Sequence, residues 1–84
     1  MKLYAVYMHD HTGDHTIQVF KSEEERQAFI SRDAAEVAVI LSDDGYRSHT
    51  LLRCDQCEVY VPDTGIYYEW ICCDTELEET QQSN

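Results

Sequence analysis

SEEERQAFISRDAAEVAVILSDDG, from Ser22 to Gly45, decides how many strands this chain builds. Its first half is helical. Ser22 with Glu25 three residues on forms a capping box, and glutamates at 23, 24 and 25 suit the positive end of a helix dipole. Phe29 and Ile30 supply an apolar face, and the pattern predicts a helix ending near Ser31–Ala34. The second half, EVAVIL at Glu36–Leu41, satisfies two patterns. Continued as a helix, it places Ile30, Ala34, Val37 and Leu41 at i, i+4, i+7 and i+11. Read as a strand, it is a β-branched run halted by the turn signal SDDG. Val39 and Ile40 fall off the helical stripe, whereas a buried strand uses every residue. The reading taken is a strand.

Outward from this segment the chain is β-rich. Lys2–His9 and His15–Phe20 read as strands joined by a turn centred on Thr12-Gly13, where Gly13 supplies the positive φ. Tyr46–Arg53, Glu58–Val61 and Ile66–Cys73 read as further strands, the last two joined through VPDTGI. The order β-β-α-β-β-β-β implies an α+β fold: an antiparallel sheet of five to six strands with one helix packed on one face. Residues 1–74 are expected to form one compact domain. Residues 75–84, acidic and polar, have too little apolar content to order themselves and are expected to form a disordered tail.

Charge is the outlying property of the 84 residues. Seventeen acids against six bases give −11, and eight acids with no base lie beyond residue 54. Such a field repels phosphate backbones and anionic lipid heads, so no direct nucleic-acid or membrane partner is expected. It favours encounter with a basic protein surface. An acid-rich chain with only Lys2 and Lys21 as lysines also suits a high-salt cytoplasm. The early apolar run Leu3–Met8 is far shorter than a secretory signal core or a membrane span. The expected location is a reducing cytoplasm, that of the host cell if the protein is viral. There, cysteines are thiols or metal ligands rather than disulfides.

Cys54-Asp-Gln-Cys57 is the one metal-like spacing, since thiols at i and i+3 can bend toward a tetrahedral zinc. If Val61 and Ile66 flank the last turn, opposed positions place Cys54 across from Cys73, or from Cys72 with a one-residue bulge. Cys54, Cys57, Cys72 and Cys73 are therefore the candidate zinc set, although neighbours Cys72 and Cys73 point to opposite faces. No other cofactor is implied.

Three of the four histidines crowd into Tyr7–His15, YMHDHTGDH. Pairing the first two strands with Met8 opposite Ile17 and Val6 opposite Val19 gives the better apolar face. It turns His15 toward the core and His9 and His11 away. The alternative register, with His11 opposite His15, gathers the imidazoles but matches Ile17 with His9. The first register is expected, and it disperses the three histidines.

No phosphate-binding glycine loop, H-E-x-x-H or G-x-S-x-G motif occurs, and the chain is not expected to be an enzyme. The remaining feature is aromatic: YYEW at 67–70, with acids nearby. Asp55, Glu58, Tyr60, Asp63, Tyr67, Tyr68, Glu69 and Trp70 are the candidate partner-binding residues, rings anchoring and carboxylates steering. The expected function is a small acidic, non-catalytic binding or inhibitor protein that docks on a basic surface of a larger protein. By analogy of size and charge alone, it is compared with nucleic-acid mimics of the viral anti-defence type. The alternatives are a zinc-stabilised interaction domain and a housekeeping domain adapted to salt. An exposed edge strand or the aromatic patch equally suits a homodimer.

Overall fold

The computed structural model describes residues 2–76, with Thr75 and Glu76 described by their backbone alone. Five strands and one helix follow in the order β1 (Lys2–Asp10), β2 (His15–Phe20), α1 (Glu23–Asp43), β3 (His49–Leu52), β4 (Gln56–Val61) and β5 (Ile66–Glu76). The strands form one antiparallel sheet in the order β2-β1-β5-β4-β3. This is the α+β fold expected, with five strands rather than six.

The missing strand is Glu36–Leu41, which continues the helix. The stripe that buries Ile30, Ala34 and Leu41 runs on through the segment, while Val39 and Ile40 are left 59% and 57% exposed. SDDG closes the helix instead of a strand. Gly45, at φ 90°, donates to the Ser42 carbonyl, and Tyr46 donates to that of Leu41 at 2.9 Å. These are the two bonds of a Schellman cap. Tyr46 is thereby tied to the helix, and β3 starts only at His49.

Topology explains the length. β2 and β3 are the two edges of the sheet, so α1 must cross all five strands while returning along them. Twenty-one residues give about 31 Å of helix, against about 19 Å of sheet width. A helix ending at residue 34 would stop short of the far edge. Ser22 starts it as expected, its hydroxyl accepting from the Glu25 N–H at 3.1 Å.

Because the helix runs diagonally, it covers the middle of the sheet and leaves two opposite corners open. Beneath it lie Val6, Val59, Val61, Cys57 and Trp70, closed from above by Ile30, Ala34 and Leu41. Phe20 meets Phe29 with ring centroids 5.3 Å apart. One open corner lies over the β1–β2 hairpin end and forms a cavity of about 380 Å³. The other, about 250 Å³, lies between α1 and the β3–β4 hairpin.

β5 runs past the expected end of the domain. Thr75 and Glu76 pair with Leu3 and Lys2, so the partner strand rather than apolar content sets its length. Thr75 and Glu76 therefore do not belong to the tail expected from residue 75, and the rest of that stretch, 77–84, lies outside the described residues.

Arg26 fastens the start of the helix to this end of the sheet. It is 4% exposed, donates to the Ala5 carbonyl at 3.2 Å, pairs with Asp74, and lies 5.4 Å from the Tyr4 ring centroid. The hydrogen bond from Arg26, then the neighbouring positive charges, hold the Asp74 carboxyl below its ordinary value. A carboxyl lowered in the folded state stabilises fully above its unfolded pKa, near 4, and loses that contribution as pH falls through the folded value. Unfolding followed by urea should show stability declining below about pH 4, and Asp74→Asn should flatten part of that decline. Arg26→Ala should cost about 2 kcal/mol at neutral pH, through the lost charged hydrogen bond and stem packing.

Candidate protein-binding face

The helix covers one face of the sheet and leaves the other open. Its composition was decided by a single residue of register. β1 and β2 pair as Tyr7 with Ile17, Met8 with Thr16 and His9 with His15. Neither register considered from sequence is the observed one. The reason is the turn: Asp10 and Asp14 close a three-residue loop, His11-Thr12-Gly13, rather than a two-residue one. Asp10 N–H donates to the Asp14 carbonyl, and Gly13 N–H to that of Asp10. The Asp10 carboxylate accepts from the Thr12 N–H at 2.8 Å, and Gly13 sits at φ 93°.

One extra loop residue reverses every side chain of β2. Phe20 goes under the helix, whereas Ile17 and Val19 face outward at 60% and 52% exposure. His15, expected on the core side, lies directly across from His9 on the open face.

Two rows of side chains result. One crosses β2, β1, β5, β4 and β3 as His15, His9, Glu69, Glu58 and Leu51. The next places Tyr67, Tyr60 and His49 side by side, with His11 at the hairpin tip donating its N–H to the Tyr67 carbonyl at 3.1 Å. His49 stacks on Tyr60 at 5.6 Å, and His9 stands edge-on to Tyr67 at 5.7 Å. Tyr7 stacks on His9 at 5.4 Å. All four histidines thus lie on or at the rim of one face. No lysine or arginine occupies an open-face strand position among the described residues.

Glu69 is the organised centre. His9 Nε2 lies 2.6 Å from one of its carboxylate oxygens, and the Gln56 amide donates to the other. Glu58 stands directly opposite on β4. Like charges facing across a ladder are unfavourable by about 0.2–1 kcal/mol, so this pair does not serve stability.

Of the eight residues nominated from sequence, the face brings together Glu58, Tyr60, Tyr67 and Glu69. Asp55 lies in the β3–β4 turn and Asp63 in the β4–β5 turn, both exposed. Tyr68 and Trp70 point the other way, by strand alternation, toward the helix. Trp70 is 2% exposed, with its indole N–H donating to Asp33 at 2.9 Å, and so belongs to the core. What sequence reasoning missed was Tyr7, Ile17, Val19, Leu51, His49 and the side of His15; His9 and His11 lie on the outer side expected of them. The signal available was the Asp10-x-Thr12-Gly13 loop, whose length sets their side.

The cysteines are spread rather than gathered. The β4–β5 register is the expected one, with Val61 opposite Ile66. Cys54 and Asp55, however, form the two-residue turn that joins β3 to β4, closed by Arg53 N–H donating to the Gln56 carbonyl at 2.7 Å. Cys54 is exposed there. Cys57 is buried under the helix, Cys72 is half-buried on the same side, and Cys73 is exposed on the open face. Burial pushes the Cys57 thiol up, and that of Cys72 too despite the opposing pull of Arg26. Neither is a ready thiolate. Among the described residues, no three His, Cys, Asp or Glu side chains come together as a metal site. No helix there is long and apolar enough to cross a membrane. No family model, curated protein or solved structure matches the chain.

Proposed function

We propose that this chain is a small non-catalytic binding protein that docks through the open face of its sheet onto a basic surface of a larger protein. The observation that carries the reading is Glu58 facing Glu69 on the open face, in the row beside the half-buried Tyr60 and Tyr67. A carboxylate pair that costs folding energy has a use if a cation from a partner completes it. Tyr60 and Tyr67 beside it supply rigid anchoring area, and Ile17, Val19 and Leu51 supply apolar contact at the flanks. The remaining acids add a long-range field that speeds encounter. Two carboxylates do not make a phosphate-like ladder, so the support is for aromatic anchoring with acidic steering. The narrower reading, nucleic-acid mimicry, rests on the overall charge alone.

The test separates binding from folding. Glu58→Lys converts the unfavourable pair into a favourable one and should raise unfolding free energy by up to about 1 kcal/mol. The same change should weaken partner capture at least tenfold. The readout is recovery of bound protein from lysate on immobilised wild type and variant, eluted in a salt gradient. Tyr60→Ala with Tyr67→Ala should abolish capture as well. Capture unaffected by either variant, or insensitive to salt, would falsify the proposal.

A further inference from the structure

The corner left open over the β1–β2 hairpin lies on the helix side, opposite the face just described. Its cavity of about 380 Å³ falls within the range of ligand-sized sites, whereas the second corner, at about 250 Å³, falls below it. The diagonal crossing of α1 makes the space, and α1, β1, β2 and β5 line it. Val37 from the helix and Tyr68 from β5 form an apolar and aromatic floor, with Trp70, only 2% exposed, at its edge. Three aspartates surround it: Asp33 on the helix, Asp10 at the end of β1 and Asp14 just before β2. None of the residues lining it is a lysine or an arginine. His9, His15 and Glu69 also border it.

The carboxylates are set for a positive guest. Asp10 accepts hydrogen bonds from the Thr12 hydroxyl at 2.5 Å and the Thr12 N–H at 2.8 Å. These hold its carboxyl below the ordinary range despite partial desolvation, so it is ionised at neutral pH. Asp33 is oriented by the Trp70 indole, 2.9 Å away. An apolar floor with an anionic rim matches a side chain that has an apolar stem and a cationic head. Arginine matches it better than lysine, because a planar guanidinium both stacks on aromatic rings and bridges separate carboxylates.

We infer that this cleft is a binding site for an arginine side chain presented by a partner protein. It adjoins the open face along His9, His15 and Glu69, but its test reads the helix-side carboxylates and so fails separately from the function proposed for that face. Charge complementarity selects the occupant. A second copy of the chain, at net charge −11, would approach against its own field.

Trp70 is the only tryptophan, so its indole N–H gives one reporter resonance at the edge of the cleft floor. The experiment titrates the full chain with N-acetyl-arginine amide at pH 8 and low salt. A saturable shift of the indole resonance is expected. The capped lysine amide should bind more weakly and the capped glutamine amide, uncharged, should not bind. Asp14→Asn with Asp33→Asn should weaken arginine binding at least fivefold. Asp14→Asn alone, at an exposed position, should weaken it measurably in a protein whose unfolding midpoint is unchanged. An absent or non-saturating shift would overturn the inference, as would an equal response to the glutamine or lysine amide. Unchanged affinity in the Asp14→Asn protein would do the same.

Discussion

Trp70→Ala should lower the unfolding free energy by about 3–5 kcal/mol, the usual cost of emptying a large aromatic site in a packed core. For a chain of 84 residues this is a large share of a total stability of about 4–13 kcal/mol. The indole is 2% exposed, sits beneath the helix beside Val6 and Val59, and bonds Asp33 through its N–H. Truncation therefore removes packing and leaves the Asp33 carboxylate without its donor. Trp70→Phe restores most of the volume but not the hydrogen bond, and should cost less than half as much. Urea unfolding followed by circular dichroism measures both. A Trp70→Ala protein with a wild-type midpoint would place the ring outside the core and return it to the partner surface.

Glu36→Pro should cost about 3 kcal/mol or more, although the side chain it replaces is solvent-exposed and makes no core contact. The penalty is entirely backbone. Position 36 is interior to α1, so proline removes an amide bond to the preceding turn and clashes with its carbonyl. Were Glu36–Leu41 a strand entered from a helix ending near residue 34, position 36 would be its first residue. Proline is tolerated there. Val39→Lys with Ile40→Lys gives the complementary result: both positions are more than half exposed, so the pair should change stability by no more than about 0.5 kcal/mol each. In a buried strand the same two lysines would be ruinous.

Both experiments bear on where local pattern was sufficient. β2 lies where its apolar run and flanking turns put it, and α1 starts at Ser22 because a cap is a local device. The β4–β5 register follows from the four-residue turn at 62–65, where Asp63 and Gly65 take φ 66° and 80°. The site was half legible. Alternation along YYEW already places Tyr67 and Glu69 together, opposed to Tyr68 and Trp70, but it cannot say which pair the helix covers.

The sequence by itself determined an acidic α+β domain, the start of its helix, the places of three of its turns and the pairing of its last two strands. Each of these rests on contacts between residues close along the chain. Only the tertiary structure decided the rest. The helix runs to Asp43 because a connection between the two edges must span the sheet, and no local pattern carries that distance. The histidines gather on the open face because a three-residue loop lets Phe20 reach Phe29 beneath the helix, a contact absent from the hairpin itself. Where the two alternatives differ by one residue of register or one run of β-branched side chains, local free energies nearly balance. Long-range packing then chooses.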